Sequence, residues 1–150
     1  MTFNTSMLMM LDAAFYESKG YFLDRGTSVF ETLAGITAEQ ASQPGPGGCA
    51  TIAAHVAHMI YYIEFTLRFV RGDHTDPDWN HVWDTVSTVT EEEWQASQAR
   101  LRAAVEDVRH QITSTTMWAS EREMGGAIAL LMHNAYHLGE IRRALCALNR

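Results

Sequence analysis

Lysine is nearly missing from this chain of 150 residues; Lys19 is the only one. Lysine and arginine together number 11 against 18 aspartates and glutamates, for a formal net charge of −7. Such a chain lacks the basic face that neutralises phosphates, which excludes a general nucleic-acid binder. It is equally ill suited to an anionic membrane surface. Two cysteines, Cys49 and Cys146, make no disulfide framework. No run of about 18 apolar residues occurs, so no membrane-spanning segment is expected. The stretch Thr2 to Leu11 has neither a basic start nor a small-residue cleavage site, and it does not read as a signal peptide. The expected compartment is the cytoplasm.

Proline is scarce too, and its three positions mark connections. Pro44 and Pro46 lie in QPGPGG (Gln43 to Gly48), and Pro77 lies in RGDHTDPDWN (Arg71 to Asn80). A third break falls near Thr113 to Ser120, where Thr and Ser cluster. Hydrophobic residues make up 47% and charged residues 19%, an ordinary globular mix that excludes a disordered or fibrous chain. The length suits one domain, residues 1–150, able to bury a core without disulfides.

The breaks leave four segments with helical spacing. The first runs from about Thr5 to Leu33, weakened by Gly20 and Gly26. The second runs from about Thr51 to Val70. Its wide buried face is expected to carry Ile52, His55, Val56, Met59, Tyr62, Ile63, Thr66 and Val70, with Glu64, Arg68 and Arg71 opposite. The third opens at Thr90, where T-x-x-E is a capping-box signature, and turns Trp94, Leu101, Val105, Val108 and Ile112 inward. The fourth runs from about Glu123 to Leu148, with Leu130, Leu131, Asn134, Leu138, Ile141 and Leu145 on one stripe. No segment alternates like a strand. The expectation is an all-α four-helix bundle with its longest connection between the second and third helices, where Trp79 to Val89 forms a short helix or an ordered loop.

Seven histidines are unevenly placed. His133 and His137 stand four residues apart, which puts both imidazoles on one helix face within reach of one metal ion. Both fall within or beside the apolar stripe, where two histidines without partners are costly. A shared metal or a hydrogen-bond network offsets that cost; ordinary interface histidines are the plain alternative, at even weight for the pair alone. HNAYH lacks the Glu that follows the first His of a zinc protease helix, so that reading is rejected. A histidine from the second helix would complete a set of three nitrogens with open coordination positions, as in catalytic sites. His55 and His58 compete for this role. Periodicity does not choose between them and slightly favours His55.

These residues carry a family resemblance. TIAAHVAHMI (Thr51 to Ile60) resembles the second-helix signature of the DinB-like superfamily, in which a ligand histidine follows a small hydroxyl residue by seven positions. Counting from Thr51 lands on His58, followed by Met59. HNAYHLGEIRRAL (His133 to Leu145) is similar to the family's last-helix H-x-x-x-H-x-G-x-I pattern, and FLDRGTSVFETLAGITAEQ (Phe22 to Gln40) to its first helix and the turn after it. The EEEW closing the long connection also fits. The resemblance covers nearly the whole chain. It implies a four-helix bundle with a divalent-metal site at His58, His133 and His137. Activities known in related families include glutathione-, mycothiol- and bacillithiol-dependent transferases and an isomerase. His55 departs from the simplest pattern, as an additional ligand, a proton shuttle or a packed neighbour of the ligands. Glu140 stands where some relatives carry Gln.

The functional expectation is therefore a metal-dependent enzyme, a thiol S-transferase or a hydrolase, acting on a small molecule. Zinc or nickel is the expected metal, with manganese or iron as alternatives and a low-molecular-weight thiol as second cofactor. The absence of an obvious acidic general base beside the ligands favours thiolate attack over hydrolysis. The alternatives are a non-catalytic, stress-related metal-binding homodimer with a structural metal, and a metal-free interaction domain. Trp79 and Trp83 either wall a substrate pocket or cap the open end of the bundle, and capping is the favoured reading. Tyr62 is read as a core tyrosine with its hydroxyl at the rim. Tyr136 is read as an interface or pocket-edge residue, Cys49 as a buried thiol, and Arg142 and Arg143 as a solvated face.

Overall fold

Side-chain caps set where the helices begin. Thr51 accepts from the Ala54 amide (3.2 Å) and opens the helix Ile52–Val70. Thr90 and Glu93 close the reciprocal capping box that their spacing foretells, at the start of Glu91–Ser114. Ser28 with Glu31 and Thr37 with Gln40 form two further boxes. The computed structural model describes residues 2–149. Over them the order is α1 (Phe3–Phe15), α2 (Val29–Leu33), α3 (Ala38–Ala41), α4 (Ile52–Val70), α5 (His81–Thr85), α6 (Glu91–Ser114) and α7 (Glu121–Leu148). Among the described residues the chain is all-helical, with no strand and one isolated bridge between Gly45 and Cys49.

The expected first helix is not continuous. α1 stops at Phe15, and the chain returns to helix only at Val29. Gly20 (φ 81°) and Gly26 (φ 74°) occupy the left-handed region, which side chains with a Cβ rarely adopt, so they turn the chain rather than merely weaken a helix. The buried Ser18 hydroxyl donates to the Leu23 carbonyl (2.5 Å), and Glu31 accepts from the Ser18 and Ser28 amides. These bonds hold the irregular stretch against α2. QPGPGG is a second close turn. A Cβ at Gly45 would lie 2.8 Å from the Ala50 carbonyl oxygen, so only glycine fits where the chain swings into α4.

α4 lies centrally, packed on both α6 and α7, while α1 packs on the same two helices from the other side. Leu11, Phe15, Ile52, Val56, Met59, Ile63, Leu101 and Ile141 meet between them almost fully buried. All five residues expected to point inward from α6 are buried. Trp94 also donates its indole N–H to the Ile36 carbonyl (2.7 Å), which ties α6 to the turn after α2. Asn4 donates to the carbonyls of Ile112 (2.8 Å) and Thr115 (2.7 Å) and accepts from the Trp118 indole (2.6 Å). It thereby satisfies orphan carbonyls at the end of α6 and anchors the link to α7.

Two helical faces end earlier than their periodicity implies. Val70 is 53% exposed, because the last turn of α4 projects Phe69 and Val70 beyond its neighbours. Thr66 and Leu145 are half-buried. α7 begins at Glu121, two residues before the expected start, where the Ser120 side chain caps it. No described helix is long and apolar enough to cross a membrane.

Candidate metal centre

Because α4 and α7 pack side by side, their histidine-bearing turns face each other. His58 Nε2 lies 3.2 Å from His133 Nε2, and His137 Nε2 lies 3.2 Å from the same atom. His58, His133 and His137 each offer one ligand atom, and these atoms all lie within 4.8 Å of one another. The spacing has a direct physical reading. Two nitrogens at about 2.0–2.1 Å from one tetrahedral zinc stand about 3.3 Å apart.

The protonation chemistry fits as well. His58 and His137 are buried, at 6% and 4% exposure, and His133 is half-buried. Burial pushes His58 down to about 4, with the neighbouring His133 and His55 adding to the effect. Burial pushes His137 down to about 3, helped by His133, His58 and His55. Burial lowers His133 as well. Near neutral pH all three are uncharged imidazoles, the form that donates a lone pair to a metal. Among the described residues no carboxylate hydrogen-bonds these rings; their polar contacts are with one another and with His55.

His55 is buried one turn before His58, but its position differs from that of the three. Its Nδ1 lies 3.0 Å from His137 Nδ1, on the side of the His137 ring away from the cluster of Nε2 atoms. Periodicity slightly favoured His55 over His58 as the converging residue. The structure brings into the group of three His58, the residue that the family resemblance implied. Both histidines are buried, so burial could not separate them. The direction from which α7 approaches does.

Aromatic rings hold the imidazoles. Tyr62 lies flat on His133, with centroids 3.7 Å apart and planes at 14°. Trp83, from α5, stacks on His58 (4.5 Å, 24°) and meets His55 edge-on (5.5 Å, 77°). Trp79 packs against Tyr62 (6.0 Å). Both tryptophans expected at the bundle end thus stand in ring contact with the site, Trp83 closely and Trp79 at 6.5 Å from the His58 ring. Tyr62 was legible as a neighbour of His58, four residues on along the same helix. Trp83 carried no such signal, because its place depends on how the long connection folds back.

Of the remaining candidates, Tyr136 alone reaches the cluster. Cys49 is exposed rather than buried, and so is Cys146. Arg142 and Arg143 are exposed, and Glu140 is half-buried and pairs with Arg143 (3.7 Å). Tyr136 is 64% exposed and touches the His137 ring edge-on (5.1 Å). A groove of about 600 Å³ runs past Tyr61, Phe65, His81 and Arg100, with none of the four clustered histidines in its lining.

The family described as the DinB superfamily matches residues 23–141. No curated protein and no solved structure matches the chain.

Proposed function

We propose that this chain, which belongs to the DinB superfamily, is a divalent-metal protein that holds its ion through His58, His133 and His137 and transfers a low-molecular-weight thiol to a small electrophile. In this reading α1, α4, α6 and α7 are the family's four-helix bundle, and residues 1–150 form one domain. A bound ion, zinc or nickel ahead of manganese or iron, would supply a Lewis acid that brings the pKa of a thiol toward neutrality. The single observation that carries the reading is the convergence of three Nε2 atoms from two facing helices.

The chain's own residues do the rest. Desolvation keeps the three imidazoles neutral, so their lone pairs are free at physiological pH. Tyr62 and Trp83 fix two of the ring planes and exclude water from two sides. His133 is the least covered of the three, which makes its side the natural approach for a small molecule. The lack of a hydrogen-bonded carboxylate among the described residues at the cluster supports attack by a preformed thiolate over base-assisted hydrolysis. A cytoplasmic homodimer completes the reading, since Ile128, Met132 and Tyr136 leave apolar surface exposed along α7 for a second copy.

Elemental analysis of the purified wild type beside His58→Ala and His137→Ala tests the site. One divalent ion per chain in the wild type and none in either variant is expected. A screen of small thiols against an epoxide and an aryl halide then tests the reaction, and a metal-loaded protein that turns over none of them would count against it. One observation favours a second reading, a non-catalytic metal site. Trp83 lies over His58, which is 6% exposed. A bound ion that raises the melting temperature yet resists exchange with added metal would favour that alternative.

A further inference from the structure

We infer that His55 is a positioning residue: its Nδ1 accepts a hydrogen bond from Nδ1–H of His137 and so holds His137 with its Nε2 lone pair turned to the metal. The inference rests on the metal reading above and adds to it a fourth histidine with a distinct role.

The argument is one of proton counting. Two ring nitrogens 3.0 Å apart can share only one proton, so one ring donates and the other accepts. His137 Nε2 stands 3.2 Å from His133 Nε2, inside the group of converging ligand atoms. If that nitrogen is to give its lone pair, the His137 proton must sit on Nδ1. His55 Nδ1 is then the acceptor, and the His55 proton lies on its Nε2. His55 cannot easily leave this post. It is 8% exposed, and the Trp83 ring packs against it at a steep angle (5.5 Å, 77°). It is also outside the set of residues whose ligand atoms lie within 4.8 Å of one another. Ligand histidines commonly give their second N–H to a carboxylate, a carbonyl or water. Here a second imidazole fills that place.

Zinc affinity, measured by competition with a chromophoric chelator, provides the test in wild type, His55→Leu and His55→Asn. Leucine removes the acceptor, whereas the asparagine carboxamide oxygen stands near the position of Nδ1 and can accept the same bond. His55→Leu should bind zinc about 10- to 100-fold more weakly, the usual effect of losing such a partner. His55→Asn should recover most of that loss. X-ray absorption on the zinc-loaded wild type should count three imidazoles. Nitrogen NMR of its histidine rings should find His137 bound through Nε2 with a proton on Nδ1, a readout that stands even where His55→Leu fails to fold. Four imidazoles at the zinc, His137 bound through Nδ1, or equal affinity in wild type and a folded His55→Leu would each overturn the inference while leaving the metal site intact. A wild type that takes up no stoichiometric zinc would overturn the metal reading itself, and the role of His55 with it.

Discussion

Tyr62 lies face to face with His133, its ring centroid 3.7 Å from that of the imidazole and the planes 14° apart. The two come from different helices, α4 and α7, so the stack sets the plane of the imidazole whose Nε2 lies 3.2 Å from those of both His58 and His137. Burial also raises the Tyr62 phenol above its ordinary pKa, so the ring stays uncharged beside the cluster.

Replacing Tyr62 by leucine should therefore free the His133 ring and weaken zinc binding by about 2- to 10-fold, the equivalent of one aromatic pair. Tyr62→Phe keeps the stack and should bind as the wild type does. Chelator competition reads both, and equal affinities for all three proteins would remove the stack from the account.

Stability of the metal-free protein should fall with acidification. The folded chain holds His58 and His137 uncharged down to about 4 and about 3. In the unfolded chain the same rings take up protons near pH 6.5, their ordinary value, of about that size. Between these limits the unfolded state binds more protons, so stability declines as pH drops below about 7 and is level above it. Urea unfolding at pH 7.5, 6 and 5 should show a steadily lower midpoint, and His137→Leu should flatten the trend. A midpoint that stays constant over this range would contradict neutral, desolvated imidazoles.

Trp83→Ala uncovers His58 from the side of α5. The His58 pKa should then rise toward its ordinary value, and a chelator should strip zinc faster. Proton NMR titration and stopped-flow release measure the two effects. About two-thirds of Trp83 is covered and its ring packs on His58 and His55, so the melting temperature of the metal-free protein should fall as well.

Asn4→Ala tests the opposite end of the molecule. It deletes bonds to the carbonyls of Ile112 in α6 and of Thr115 just after it, and one from the Trp118 indole. At about 1 kcal/mol for each partly exposed bond, the loss should be about 2–3 kcal/mol. For a chain of this length that lowers the melting temperature by about 5–10 °C. Zinc affinity of the folded variant should not change, because none of these groups touches the histidines.

Local chemistry made much of this architecture readable along the chain. Thr90 and Glu93 announce a helix start by their spacing alone, since both capping bonds form within one turn. Trp94, Leu101, Val105, Val108 and Ile112 announce their buried face through the 3.6-residue period. His133 and His137 announce a shared face for the same reason. Such features depend on neighbours within a few residues. The break after Phe15 was only half visible. Gly20 and Gly26 signal weakness, but whether they turn the chain depends on the bonds that Ser18 and Glu31 make in the folded state.

The family resemblance pointed to His58, but helical periodicity could not divide the roles of His55 and His58, and tertiary structure did. Three residues apart on one helix, both are buried, and the helical period leans slightly toward His55, the wrong one of the two. The approach of α7 brings His133 Nε2 to His58 and turns His137 Nδ1 toward His55. The placing of Trp83 over His58 follows from the return of a connection more than ten residues long, whose path no periodicity encodes. Helices and their faces are decided by contacts within a turn or two. Which atoms meet between two helices is decided by the rotation and offset at which packed side chains let them lie.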